Sequence, residues 1–435
     1  MKRYAIKSLE SWKNSANRKP LLLFGARQVG KTWLVRDFAA KFYDNLIELN
    51  FFNDDGLKQI FDRNIKPEYL IEQLEVLFNT KIDPARTLLF FDEIQESQRA
   101  MDSLKSFNDL APQYNIIAAG SFLGVMLGRK PVGQTNHVTL YPMCFCEFLE
   151  AQGRDMLADA IKQRKFDILS GASDILETAL RKYFYVGGMP AVVSEFVTSG
   201  DLNKVQAVQN RLLDEYGGDF SKHISDQRTA AKIRMLWDSV PLHLFKENQK
   251  FVYKNIKTGG RAAEFEEAMQ WLKDTGLIHK VNKVETPKIP LAMHYKEDFF
   301  KLYMLDIGLF CAKAEITPAD ILLQGVDIVD NMNGVLAEQF VLQELKTARV
   351  SPLFYWGREK STAEVDFITQ AGGSIVPIEV KSARNTRAQS LEIYMKDHRP
   401  ACAVRTSLKN YGVVDNLYSI PLYAISEIVN IISLS

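Results

Sequence analysis

The stretch "LLLFGARQVGKT", residues 21–32, decides how the first third of the chain folds. A short apolar run ends at Gly25, the pattern GxxxxGK[ST] closes on Gly30, Lys31 and Thr32, and WLVRDFAAKFY continues with helical spacing. Strand, loop and helix in that order form the setting a phosphate-cradling loop needs. Its glycines let the backbone N–H groups of Gly25, Ala26, Arg27, Gln28, Val29 and Gly30 turn inward around an anion. The helix that follows adds the favourable end of its dipole. Lys31 is then placed for the β and γ phosphates of a nucleotide, and Thr32 for magnesium.

A second motif predicts the same ligand. TLLFFDEIQ, residues 87–95, is an apolar strand ending in acids, and such a continuous run suits a strand buried on both faces of a parallel sheet. Asp92 is expected in the magnesium shell and Glu93 beside the attacking water. The strand YNIIAAGS leads into Ser121, where a γ-phosphate sensor would sit, although a small polar residue ending a strand is also ordinary turn chemistry.

GARQVGKT, LLFFDEIQ and AAGS, with the later LYPMCFCEFL and YVGGMP, together resemble a large prokaryotic family of AAA-type P-loop ATPases, STAND-like in character. Its members carry a C-terminal domain of unknown function. The resemblance covers essentially the whole chain. It implies phosphate and magnesium binding at Lys31 and Thr32, a Walker B pair at Asp92 and Glu93, and a sensor at Ser121. It also places Gly188, Met189 and Pro190 near the adenine. Many members have a Gly-Arg pair before the LYP segment, whose arginine serves a neighbouring subunit's phosphate. Here the matching pair is Gly133 and Gln134, with Arg129 and Lys130 just upstream. A neutral amide cannot supply a guanidinium's charge, so a homo-oligomer does not follow from this position.

Residues 151–235 show helical spacing, as expected of a lid that answers to the γ-phosphate. Beyond them, RAAEFEEAMQWLKDTG is a helix capped at Gly276, and LIHKVNKV and FKLYMLDIG read as two strands. Helix plus two-stranded wing is the pattern of a winged helix. Ten Lys or Arg stand against seven Asp or Glu over residues 250–301. Lys254, Lys257, Arg261, Lys280 and Lys283 are candidates for DNA phosphates, and a solvated face accounts for them equally well.

Further on, NMNGVLAEQFVLQELKTA (331–348) carries Glu338, SPLFYWGRE is a strand, and AEVDFITQAGGSIVPIEVKSA (363–383) is a hairpin. Helix with acid, then Asp366, then Glu379 and Lys381, is the order of a PD-(D/E)XK restriction-endonuclease-like core. Residues two apart on a strand share a face, so Glu364 groups with Asp366 and Glu379 with Lys381. Asp366 and Glu379 are candidate ligands for a second Mg²⁺ or a Mn²⁺, Lys381 a catalytic counter-charge, and Glu338 the support of a metal-bound water. An ordinary half-exposed hairpin shows the same alternation.

The chain has 435 residues, 46% hydrophobic and 25% charged, with a formal charge of +1. That is long enough for several compact units and offers no global field for nucleic acid or membrane. Cys144, Cys146, Cys311 and Cys402 form no metal-binding spacing and read as free buried thiols in a reducing compartment. Without an apolar leader or a span-length apolar window, the reading is cytoplasmic, with no membrane partner.

The expected fold class is α/β. A P-loop NTPase core with a parallel sheet covers 1–150 and a helical lid 151–235. A winged-helix-like segment covers 236–310 and an α/β restriction-endonuclease-like domain 311–435. Three functions stay open. The first is an ATP-hydrolysing, DNA-associated protein with a metal-dependent nuclease-like domain. The second is a nucleotide-driven switch whose C-terminal domain binds protein or nucleic acid without cleaving. The third is a nucleotide sensor that does not hydrolyse.

Overall fold

A short apolar strand, Leu21–Phe24 (β1), runs directly into the glycine loop in the computed structural model. The structure describes residues 1–127, 133–222, 224, 226–246, 249–257, 259–322, 329–359, 361–382 and 389–432. Arg129 and Lys130 lie outside the described residues. Two units make up the fold: Lys2–Tyr141 with Asp274–Gly276, and Pro142–Lys273 with Leu277–Ser435.

The first unit is α/β. Strands β2 (Asn45–Asn50), β3 (Thr87–Asp92), β4 (Asn115–Ala119) and β5 (Asn136–Thr139) join β1 in the order β2-β3-β4-β1-β5, every pair parallel. All six residues of β3 and all five of β4 are buried, which is why both read as unbroken apolar runs. Under one face, Phe51, Phe61 and Phe91 pack edge to face with ring centroids 5.2 to 5.8 Å apart. Parallel strands direct their carboxyl ends to one edge, and that edge receives the loop after β1, Asp92 at the end of β3, and Ser121 just past β4.

The second unit begins with helices, among them Ser173–Val186, Pro190–Ser199, Leu202–Lys222 and Gln227–Leu244. A mixed eight-stranded sheet follows. Strands β6 (Ile278–Val284), β7 (Tyr295–Met304), β8 (Leu353–Gly357), β9 (Glu364–Ala371), β10 (Ser374–Val380), β11 (Ala403–Ser407), β12 (Gly412–Val414) and β13 (Leu417–Pro421) take the order β12-β13-β11-β10-β9-β8-β6-β7. The hairpin β6–β7, expected as a wing, continues into this sheet because β6 pairs in parallel with β8 at Lys283↔Tyr355 and Val284↔Trp356. The β9–β10 register, which sequence left open, is set by a two-residue turn: Ala371 faces Ser374, and Gly372 and Gly373 sit at φ of 55° and 77°. Positive φ at both central positions gives a turn whose twist matches that of the strands.

YVGGMP finds a packing explanation. Gly188 accepts from the Met143 N–H at 2.7 Å, and a Cβ there would lie 2.0 Å from the Met143 carbonyl oxygen. Asp306 accepts from the Gly188 N–H at 2.6 Å and from the Leu309 N–H at 3.0 Å, capping the helix Ile307–Lys313. A Cβ on Gly187 would come within 2.3 Å of Asp306 Oδ1. The glycines let three segments approach closely.

The helix Val329–Thr347 buries Gln339, Gln343 and Glu344, each against a main-chain donor. Gln339 accepts from Met304 N–H at 3.0 Å, Gln343 from Ile307 N–H at 2.9 Å and Glu344 from Phe145 N–H at 2.9 Å. Burial raises the Glu344 carboxyl to about 8, against the lowering effect of the Phe145 bond, while Glu147 and Glu427 push it further up. A raised carboxyl holds its proton in the folded chain after the unfolded chain has lost it, so stability falls as pH climbs from about 5 through about 8. Glu344→Gln keeps the acceptor and removes the charge. Its melting temperature is expected to fall less than the wild type's between pH 6 and pH 9, a gain on the order of a few kcal/mol at pH 9. Identical pH slopes in thermal melts of the two proteins would contradict this.

Candidate functional site

The loop between β1 and the helix Lys31–Phe42 is bent by positive φ at Gly25 (143°), Gln28 (65°) and Gly30 (94°). Gly25 has no room for a side chain, since a Cβ there would meet the Leu140 carbonyl oxygen at 2.4 Å. Arg3, which no motif flags, braces the loop by donating to the Val29 carbonyl at 2.7 Å and to the Tyr141 carbonyl at 2.5 Å.

Lys31 is 6% exposed and donates to the carbonyls of Gly25 (2.8 Å) and Ala26 (2.9 Å). Burial brings its ammonium down to about 8, Glu93 and Asp92 pull the other way, and Arg27 adds to the lowering. The ammonium is therefore charged at neutral pH, and among the described residues its hydrogen bonds go to two backbone oxygens of the loop itself. Thr32 donates its hydroxyl to Asp92 Oδ2 at 2.9 Å. Asp92 is 5% exposed; burial raises its carboxyl and the Thr32 bond opposes the shift.

Glu93 adopts φ 50°, a left-handed conformation uncommon outside glycine, and such backbone strain concentrates at functional sites. Its N–H donates to Asp92 Oδ1 at 3.1 Å, Gln95 Nε2 donates to its Oε2 at 2.6 Å, and the Ser121 hydroxyl lies 3.5 Å from Oε1. The first unit thus brings Lys31, Thr32, Asp92, Glu93 and Ser121 to one edge of the sheet. Gln95, two residues on in the same motif, has no role by pattern, and the structure sets it on Glu93. Pro190 lies in the second unit, at the first turn of its helix.

Residues 17–149 match the family model described as AAA domain. The first unit is thus similar to an AAA domain. Beyond this AAA domain, residues 177–320 and 333–425 each match a domain of unknown function (DUF8612 and DUF4143). Among solved structures, a STAND protein with a tetratricopeptide repeat sensor from Pyrococcus horikoshii is 12% identical. That match covers 80% of this chain and 45% of that one, with a TM-score of 0.26. The Aeropyrum pernix ORC1 protein in complex with DNA is 13% identical over 71% and 90% of the two chains, with a TM-score of 0.25. Both likenesses are too loose to bear on function, and this chain spans less than half the length of the first. No curated protein matches the chain.

In the second unit, the β9–β10 register continued one step beyond the pair Phe367↔Ile378 sets Asp366 across from Glu379. Asp366 Oδ2 accepts from the Val380 N–H at 2.7 Å. Glu379, 3% exposed, pairs through Oε1 with Lys381 at 2.7 Å, while its buried Oε2 has no hydrogen-bond partner among the described residues. Burial raises the Asp366 carboxyl far above its usual range, reinforced by Glu338 and Glu379 and opposed by Lys301 and Lys381. Glu379 is raised by burial, against Lys381.

Glu338 joins this group through Lys301, a β7 residue the sequence did not single out. Lys301 Nζ lies 3.2 Å from Glu338 Oε2 and 2.7 Å from Glu364 Oε1. Among the described residues no three of His, Cys, Asp and Glu are placed to hold a metal ion together. Two carboxylates, one with an orphaned buried oxygen, are still a donor set that magnesium accepts, since it keeps several of its waters.

Of the basic residues proposed for DNA, Lys257 pairs with Glu264 at 3.3 Å and Lys283 with Glu285 at 2.9 Å, and Lys280 covers the Phe300 ring. The four cysteines are free and buried. No helix among the described residues is long and apolar enough to cross a membrane.

Proposed function

We propose that the AAA domain binds ATP with magnesium and hydrolyses it. The observation that carries this reading is the buried Lys31 ammonium, held among the described residues by two loop carbonyls beside the Thr32–Asp92 bond. A charge kept dry and so weakly committed can transfer to phosphate oxygens at little cost. In this reading the loop N–H groups from Gly25 to Gly30 line the phosphates, and Lys31 binds the β and γ groups. Thr32 and Asp92 would hold the magnesium. That ion, when bound, supplies charge neutralisation between the phosphates. Glu93 accepts the proton of the attacking water, Gln95 fixes the orientation of its carboxylate, and Ser121 senses the γ-phosphate. The helices between residues 151 and 235 are the candidate element that answers to nucleotide state. Phosphate release from the purified protein with Mg²⁺ and ATP tests the reading; no release above the no-protein control would sink it.

For the second unit we propose a metal-dependent nuclease-like site at Asp366, Glu379 and Lys381, with nucleic acid as the partner. The orphaned Glu379 Oε2 supports it, because a buried carboxylate oxygen without a donor is costly unless a cation completes it. Asp366→Ala and Lys381→Ala are each expected to lower Mg²⁺- or Mn²⁺-dependent cleavage of DNA or RNA by about a hundredfold or more. Cleavage unchanged in both variants removes the assignment. Metal-independent binding of nucleic acid or protein without cleavage favours the rival, a switch whose C-terminal domain only holds a partner.

A further inference from the structure

Four carboxylates (Glu338, Glu364, Asp366 and Glu379) and two lysines (Lys301 and Lys381) meet in the second unit, and they are not equally committed. Lys301 is 1% exposed, and its three N–H bonds are all used: on Glu338, on Glu364, and on Gln249 Oε1 at 2.7 Å. The Tyr355 ring lies beneath it, 5.3 Å from Nζ. Glu338 is occupied at both oxygens, accepting from Gln249 Nε2 (2.9 Å) at Oε1 and from Lys301 and the Tyr303 hydroxyl (3.1 Å) at Oε2. Burial alone would lower the Lys301 ammonium, yet Glu338, Tyr303, Glu364 and Asp366 together raise it well above its usual value, so it stays charged. Asp366 and Glu379 are differently placed: Glu379 Oε2 has no partner among the described residues.

We propose that Lys301 is a built-in counter-cation that withdraws Glu338 and Glu364 from coordination, restricting this site to one divalent ion between Asp366 and Glu379. Two-metal sites need carboxylates that bridge or flank ions about 3.5–4 Å apart, and Lys301 already engages Glu338 and Glu364, the two further carboxylates of the cluster. The inference rests on the metal-site reading above and extends it to the number of ions and to a positioning residue on a distant strand.

Mn²⁺ titration of the full, nucleotide-free chain, followed by electron paramagnetic resonance, tests it without reference to cleavage, with Asp366→Asn marking any ion bound elsewhere. The wild type is expected to bind one ion that Asp366→Asn loses. Lys301→Met should bind two, or hold the first about tenfold tighter, because one positive charge has left the cluster. Glu338→Gln leaves Lys301 in place and should keep the single ion, weakened less than tenfold, which decides the matter even where Lys301→Met does not fold. Two Asp366-dependent ions in the wild type, unchanged binding in folded Lys301→Met, or loss of the ion in Glu338→Gln each overturn the role of Lys301. No Asp366-dependent ion in the wild type overturns the metal reading itself.

Discussion

Lys31→Ala is expected to abolish ATP binding, with affinity for a fluorescent ATP analogue falling at least about a hundredfold. A hydrogen bond from a charged donor to an anion contributes roughly 1.5–3 kcal/mol, and a hundredfold is about 2.8 kcal/mol. Lys31 has few competing commitments, since its partners are two neutral carbonyls. The loss should not come from unfolding. Removing a buried, desolvated ammonium spares the fold a charge it holds at a cost, and the two carbonyls freed at the loop can turn to water. Melting temperatures of the two proteins without nucleotide should therefore lie within a few degrees, while only the wild type gains on adding ATP. Unchanged analogue binding by Lys31→Ala would displace the loop from its assigned role.

Glu93→Gln separates binding from turnover. The carboxylate sits at the carboxyl edge of the sheet, aimed by Gln95 Nε2 at 2.6 Å and flanked by the Ser121 hydroxyl. An amide of the same shape can hold a water but cannot take its proton. Steady-state phosphate release is expected to fall about a hundredfold or more, the usual span for a positioned general base. ATP binding should persist, because Lys31, Thr32 and the loop N–H groups are untouched. Unaltered turnover in Glu93→Gln would instead support a nucleotide sensor in which this carboxylate has no part.

The first unit was the more legible in sequence because local pattern and tertiary role coincide there. LLLF, TLLFFD and NIIAA are buried on both faces, so they read as continuous apolar strands, and the glycine loop must keep its residue types to bend as it does. Gln95 and Arg3 escaped notice because one side chain on a carboxylate and one on a carbonyl leave no periodicity. In the second unit the helix Val329–Thr347 disguises itself, burying Glu338, Gln339, Gln343 and Glu344 where a pattern reader expects apolar residues. Each is satisfied by a partner remote in sequence, such as Phe145 or Met304, which no window of residues reveals. Lys301 went unread for the same reason: on β7 it looks like an exposed strand lysine until its pairing with Glu338 and Glu364 is known. The β6–β7 hairpin carries the pattern of an independent wing, and only the pairing of β6 with β8 shows that it extends the larger sheet. Resemblance places YVGGMP near the adenine, and the close packing of its glycines against Met143 and Asp306 is a separate role that no local pattern reveals.

The most direct test of the central claim is a crystal structure grown with a non-hydrolysable ATP analogue and Mn²⁺, with manganese located by its anomalous signal. The account predicts Lys31 Nζ moved from the Gly25 and Ala26 carbonyls onto the β and γ phosphates, with manganese beside Thr32 and Asp92. An empty loop with Lys31 still bonded to those carbonyls, at saturating analogue, would contradict it.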